Sequence, residues 1–229
     1  MTDDSHADVL DNWRQVQSAV AEAEAAAGRA VGSVRVVAVG KTHPAARIHP
    51  LLAAGHRLFG ENRVQEAVAK WPALKAEFPG VELHLIGPLQ TNKVREAVAL
   101  FDVIETVDRP KLAAALAEEM ARSGRRPACY VEVNTGLEPQ KAGVVPSDAD
   151  AFIEECRDRW CLPLRGLMCI PPAEADPVPH FRCLAELGRR HALPVLSMGM
   201  SADYPAAVAA GATHLRIGTA IFGRRPAIG

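Results

Sequence analysis

The feature that most restricts the fold of this chain is a rhythm. Eight short apolar runs are each separated from the next by one stretch with helical spacing. The runs are VRVVAV (34–39), RLFG (57–60), ELHLIG (82–87), DVIETV (102–107), ACYVEVN (128–134), LRGLMCI (164–170), PVLSMG (194–199) and HLRIG (214–218). They are continuously apolar rather than strictly alternating, as parallel strands covered on both faces should be. The segments between them carry apolar residues three or four apart, and several end on glycine or a basic residue, which are helix-stop signals. Eight strands, each followed by a helix, predict an α/β chain closed into a single (β/α)8 TIM barrel. A doubly wound open sheet would need a glycine fingerprint after the first strand, and none is there. An extra helix over about 3–28, closed by Gly28, precedes a barrel over about 34–225. No Gly-, Ser- or Pro-rich linker divides the chain, so 1–229 reads as one domain. The proline cluster IPPAEADPVPH (170–180) reads as one long βα loop.

Composition removes several function classes. The net charge of −1 offers no basic surface for nucleic acid or acidic membranes. No apolar run approaches the roughly 20 residues that span a bilayer, and the acidic, amphipathic start is unlike a secretory signal. Five cysteines without CxxC spacing read as free thiols, which places the chain in a reducing cytoplasm. Eight scattered histidines show no paired ligand spacing, so no metal is assigned. Nothing marks an oligomer interface, and a monomer is expected.

In such a barrel, residues at the strand C-termini share one mouth. The first strand ends on Gly40-Lys41-Thr42. This is not a P-loop, because Arg35 stands where its first glycine belongs and Pro44 interrupts the helix that should follow. Other strand ends bring Glu61 and Asn62, then Gly87, Gln90, Asn92 and Lys93, then Asn134. The last two loops, SMGMSAD and RIGTAIFG, place Ser201 before a helix and Gly218-Thr219 at the start of another. Hydroxyls and unpaired N–H groups there suit an anion, in the two loops where this fold usually binds phosphate. A lysine desolvated by barrel walls becomes a nucleophile toward an aldehyde. Together these groups suit a phosphorylated aldehyde, such as pyridoxal 5′-phosphate (PLP) or the sugar phosphate of a Schiff-base aldolase.

The segments AVGKTHP, FGENRVQEA, HLIGPLQTNK, LRGLMCIPP and LSMGMSADYPAAVAAGATHLRIGTAIFGRR resemble the YggS/PROSC family of pyridoxal phosphate homeostasis proteins, in order and from about 34 to 225. The resemblance implies the barrel of bacterial alanine racemases and PLP held covalently as a Schiff base on Lys41. It implies that Ser201, Gly218 and Thr219 grip the phosphate, that Arg216 faces the pyridine nitrogen, and that Asn62 lines the ring. Met198 or Met200 is expected nearby, with His84 and the GPLQ turn at the border. A cationic guanidinium beside the ring nitrogen disfavours its protonation and mutes the electron sink. The chain departs from the family pattern at Gly40, where serine is common, and at His43, where a second lysine is common. Lys141 matches a family lysine and could touch the cofactor.

The expected function is therefore PLP binding and buffering without robust turnover, with apo PLP-dependent enzymes as conceivable recipients. The alternative is a single-domain PLP-dependent racemase. Racemisation needs acid–base groups on both faces of the substrate carbon. Lys41 could serve one face, whereas neither Tyr130 nor Tyr204 is an obvious partner for the other, and no catalytic residue is assigned. The chain also leaves no length for a racemase's second domain.

Overall fold

The structure is a computed structural model that describes residues 4–223. The expected helix start at residue 3 and the barrel's last two residues, 224 and 225, lie outside them. Eight parallel strands, β1 (Arg35–Val39), β2 (Leu58–Glu61), β3 (Glu82–Leu85), β4 (Val103–Val107), β5 (Ala128–Glu132), β6 (Leu164–Met168), β7 (Val195–Ser197) and β8 (His214–Ile217), pair in chain order. The barrel closes between β8 and β1, with Val36 opposite Leu215 and Ala38 opposite Ile217. All eight apolar runs thus became strands, seven of them trimmed at one or both ends and β2 shifted by one residue onto Glu61, and the TIM-barrel expectation holds.

Helices α1 (Asp4–Ala26), α2 (Ala45–Ala53), α3 (Val64–Glu77), α4 (Val94–Leu100), α5 (Pro110–Ser123), α6 (Pro146–Glu154), α7 (Pro177–Arg190), α8 (Tyr204–Ala209) and α9 (Thr219–Phe222) complete the described chain. Helix α5 shows the local logic. Pro110 sits in its first turn, where a missing N–H costs nothing, and Gly124 closes it in the left-handed region at φ 74°. Helix α7 corrects the reading of 170–180 as loop throughout. Asp176 caps it by accepting the Val178 N–H at 3.0 Å, so Pro177 and Pro179 lie in the first turn rather than before it.

Side chains pointing outward from the strands, among them Ala38, Phe59, Leu83, Ile104, Leu167 and Leu215, form the core beneath the helices. Burying each large one is worth roughly 1.5–3 kcal/mol. Helix α1 lies against α2, α8 and α9 and buries Val9, Val16 and Val20. Glu24, 1% exposed near its end, ties the helix to β1 by accepting the N–H groups of Gly32 (2.8 Å) and Val34 (2.7 Å) and the Ser33 hydroxyl (3.0 Å). None of the described helices is long and apolar enough to cross a membrane.

The barrel interior holds polar side chains where many barrels hold branched aliphatics. Arg35 donates to Glu82 at 2.9 Å, and Glu82 bonds His84 Nε2 at 2.9 Å. His84 Nδ1 meets Glu105 Oε1 at 2.6 Å. Glu105 Oε2 accepts the Ser197 hydroxyl at 2.6 Å, and Ser197 Oγ accepts from Arg216 at 2.7 Å. This chain runs from the strand N-termini to the mouth. Burial opposes charge on both His84 and Glu105. Their mutual hydrogen bond and charge, joined by Glu82 on the imidazole and by Arg216 and Ser197 on the carboxyl, together outweigh it, holding the imidazole above and the carboxyl below their ordinary values.

Candidate functional site

At the C-terminal mouth, β1 hands over to α2 through Gly40-Lys41-Thr42. A side chain at Gly40 would meet Ile48 Cδ1 at 2.7 Å, so the turn packs tightly on α2. Thr42 is held at φ 64°, an unusual conformation for a β-branched residue and a mark of strain beside the lysine. Lys70 on α3 pins this turn by donating to the carbonyls of Gly40 (2.9 Å) and His43 (3.0 Å). Glu61, expected at the rim, turns outward to anchor that brace. It meets Lys70 Nζ at 2.6 Å and accepts the Trp71 indole N–H at 2.9 Å. Burial pushes the Glu61 carboxyl up against the pull of Lys70. Lys70 drew no expectation from the residues alone, since nothing local reveals that α3 lies over the β1 turn.

Lys41 lines a cavity of about 270 Å3, together with His43, Asn62, Met200, Ser201, Arg216, Gly218 and Thr219. Val39, Ile86 and Ile170 supply apolar walls. Six of the seven expected site residues therefore converge. The seventh, Met198, is a correction. It follows inward-facing Ser197, so alternation turns it outward into the core at 0% exposure, and Met200 reaches the cavity instead. Between them Gly199 turns at φ 94°, which favours glycine.

The polar lining is rich in donors. Among the described residues it contains Lys41, His43, Arg216, Ser201 and Thr219 and no carboxylate. Arg216 is 4% exposed and rigidly aimed, donating to Ser197 Oγ at 2.7 Å and to the Cys169 carbonyl at 2.8 Å, with Glu105 Oε2 at 3.9 Å. Asn62 Oδ1 is buried and, among the described residues, has no hydrogen-bond partner. A lining of this kind suits an anionic group at one end and an electrophile beside the amine at the other. Thr219 opens α9, where the first N–H groups lack intrahelical partners. Ser201 lies three residues before α8 rather than directly at its start.

Other expected neighbours lie elsewhere. His84 belongs to the barrel interior and does not line the cavity. Gln90 and Lys93 border a separate cavity with Arg63 and Pro88, touching the first only through Asn62. Asn134 and Lys141 line a third, adjoining cavity. Tyr130 is buried inside the barrel near His84 and His214, Tyr204 opens α8, and neither tyrosine lines the lysine cavity. A larger space of about 510 Å3 opens at the opposite end, between α1 and the strand N-termini. Chemistry in this fold belongs to the mouth, which favours the smaller cavity. Burial raises the Cys129 thiol and pushes Cys156 and Cys169 up to about 12, which makes them inert core residues.

The family described as alanine racemase, N-terminal domain, matches residues 8–226. The pyridoxal phosphate homeostasis protein of Pseudomonas aeruginosa is 40% identical over 222 residues, covering 95% of this chain and 96% of its own. That of Deinococcus radiodurans is 42% identical over 210 residues, covering 90% and 97%. PipY of Synechococcus elongatus, solved with PLP bound, superposes at a TM-score of 0.76 with 41% identity, covering 89% of this chain and all of PipY. The chain belongs to the family of pyridoxal phosphate homeostasis proteins, built on the barrel of the alanine racemase N-terminal domain.

Proposed function

We propose that this protein binds pyridoxal 5′-phosphate, carries its aldehyde as a Schiff base on Lys41, and serves to hold and release the cofactor in vitamin B6 homeostasis. One observation carries the reading. A strand-end lysine, a fixed guanidinium and two hydroxyl-bearing turns meet in a single cavity whose described lining lacks carboxylates. The names of the relatives and the cofactor seen in PipY support the same conclusion. When bound, PLP supplies an aldehyde for amines and an electron-withdrawing ring.

The chain's own groups divide the work. Lys41 Nζ takes the aldehyde. Ser201 and Thr219 hold the phosphate with the backbone about Gly218, where a side chain would crowd the Val39 carbonyl at 3.2 Å. Arg216 faces the pyridine nitrogen and, anchored by Ser197 and the Cys169 carbonyl, keeps a proton off it. A site arranged this way stores the cofactor better than it uses it, which favours reserve over racemisation. Met200, Ile86 and Ile170 shield the ring from water. The barrel acts as one domain, and we place it in the cytoplasm as a monomer that supplies apo enzymes.

The test is an absorbance spectrum of the purified protein after incubation with PLP, repeated after borohydride and with Lys41→Ala. Wild type should show a visible Schiff-base band that borohydride abolishes, leaving the cofactor's mass on Lys41, and the variant should show none. A wild-type protein that stays colourless after reconstitution would falsify the reading.

A further inference from the structure

Beside the lysine cavity lies another of about 280 Å3, which shares Asn62, Ile86 and Ile170 with it. Glu132, the last residue of β5, lines this second space and is only 8% exposed. Its Oε2 is buried and has no hydrogen-bond partner among the described residues, as is true of Asn62 Oδ1 on the shared wall. Two acceptors without donors on one cavity are costly in the unliganded protein, since an unmet buried polar group forfeits its hydration. Lys141 also lines the space, but its ammonium is engaged by Glu138 at 2.5 Å and by the Pro171 carbonyl at 3.3 Å.

We propose that this cavity is a binding site for a small primary amine in its ammonium form, which donates to the Glu132 carboxylate and the Asn62 amide oxygen while its apolar tail lies on Ile86 and Ile170. An ammonium offers three donors and no acceptor, which matches what the two oxygens lack, and it neutralises a buried carboxylate as well. An anion would face the Glu132 carboxylate, while the Lys141 ammonium on the same wall is already engaged by Glu138 and the Pro171 carbonyl. The inference rests on the neighbouring cavity being the cofactor pocket. In that setting the site selects which amines come to lie beside the cofactor.

The groups acting on Glu132 give the site a pH signature. Burial pushes its carboxyl up to about 7, Asp108 and Glu105 on β4 and its following loop push the same way, and Arg216 on β8 pulls down. Lys141 borders the cavity but is held by Glu138. Ammonium binding needs the carboxylate, so affinity should fall about tenfold per pH unit below that value.

The experiment uses protein loaded with PLP and reduced with borohydride, so that Lys41 is capped and cannot react. Failure to find the cofactor's mass on Lys41 at this stage counts against the cofactor reading and is seen before any amine is added. Calorimetry with n-propylamine at pH 8 should then give saturable one-to-one binding. Glu132→Gln should weaken it at least tenfold and abolish the pH dependence, Glu132→Asp should keep the pH dependence, and propionate should not bind. No saturable binding to loaded wild type, equal affinity in Glu132→Gln, or equal binding of propionate would each overturn the proposal.

Discussion

Glu105 concentrates what single residues do here. It is fully buried, and three groups depend on it: His84, Ser197 and, through Ser197, the guanidinium of Arg216. Its pairing with His84 suits an imidazolium and a carboxylate, so each buried charge is compensated by the other. Removing Glu105 leaves His84 dependent on Glu82 at its other nitrogen, and breaking a buried pair typically costs about 3–5 kcal/mol, the lower end where such a partner remains. Glu105→Gln should therefore lower the unfolding free energy by roughly 3 kcal/mol, read from urea midpoints at neutral pH. It should also let Arg216 swing and shift the visible band of the PLP-loaded protein. A variant with wild-type stability and an unmoved band would show that His84 and Arg216 are held by other contacts.

At the scale of elements, α1 tests whether a helix added to a barrel is needed by it. The Glu24 carboxylate fixes the turn between α1 and β1 with three hydrogen bonds. Glu24→Ala should cost about 2–4 kcal/mol, since hydrogen bonds to a charged acceptor are worth about 1.5–3 kcal/mol each and water replaces part of the loss. A change below half a kcal/mol in denaturant unfolding would mean that the helix docks through Val9, Val16 and Val20 alone. This element also shows what can be read from residues in order. Its amphipathic pattern and Gly28 stop were plain, as were the eight strands, because both follow from local periodicity and turn residues. The meeting of Lys41 with the loops that carry Ser201 and Thr219 was legible too, since the fold rule puts strand C-termini together. The charged filling of the barrel was not read, although Glu82-x-His84 and His214-x-Arg216 alternate within their strands. That period-2 signal was hidden among the apolar neighbours of each run. Met198 went astray by the same parity, one residue from the inward-facing Ser197. Lys70 beneath the Gly40 turn and the orphaned Glu132 depend on contacts between elements, which sequence spacing does not encode.

For the whole molecule, the response to acid divides the buried histidines. His84 in the interior keeps its proton beyond the ordinary range, whereas His214 and, at the end opposite the mouth, His56 are kept neutral. Burial lowers His56 and His214 to about 4, the latter helped by the charge of His84. A histidine depressed in the folded state takes up its proton more readily when unfolded. Stability from these two is thus complete above about 6.5 and lost as the pH falls toward 4. Glu82, held at about 2 by its bond to His84, and Glu105 add their losses only at lower pH, as each is protonated in the folded chain. His84 acts in the opposite sense, since its raised value stabilises the fold below 6.5 and is lost only at higher pH as it deprotonates in the folded chain. Between pH 6 and 4.5 the two depressed histidines should give a fall in unfolding free energy that approaches about 1.4 kcal/mol per pH unit for each proton taken up on unfolding. His214 is 5% exposed and carries the fuller share, because the partly exposed His56 is screened by water. His214→Gln, which cannot take up that proton, should reduce the slope by close to one proton equivalent in denaturant titrations at half-unit steps of pH. If its slope matched wild type across this window, His214 would have no part in the acid limb, which would then come from His56 and the carboxylates.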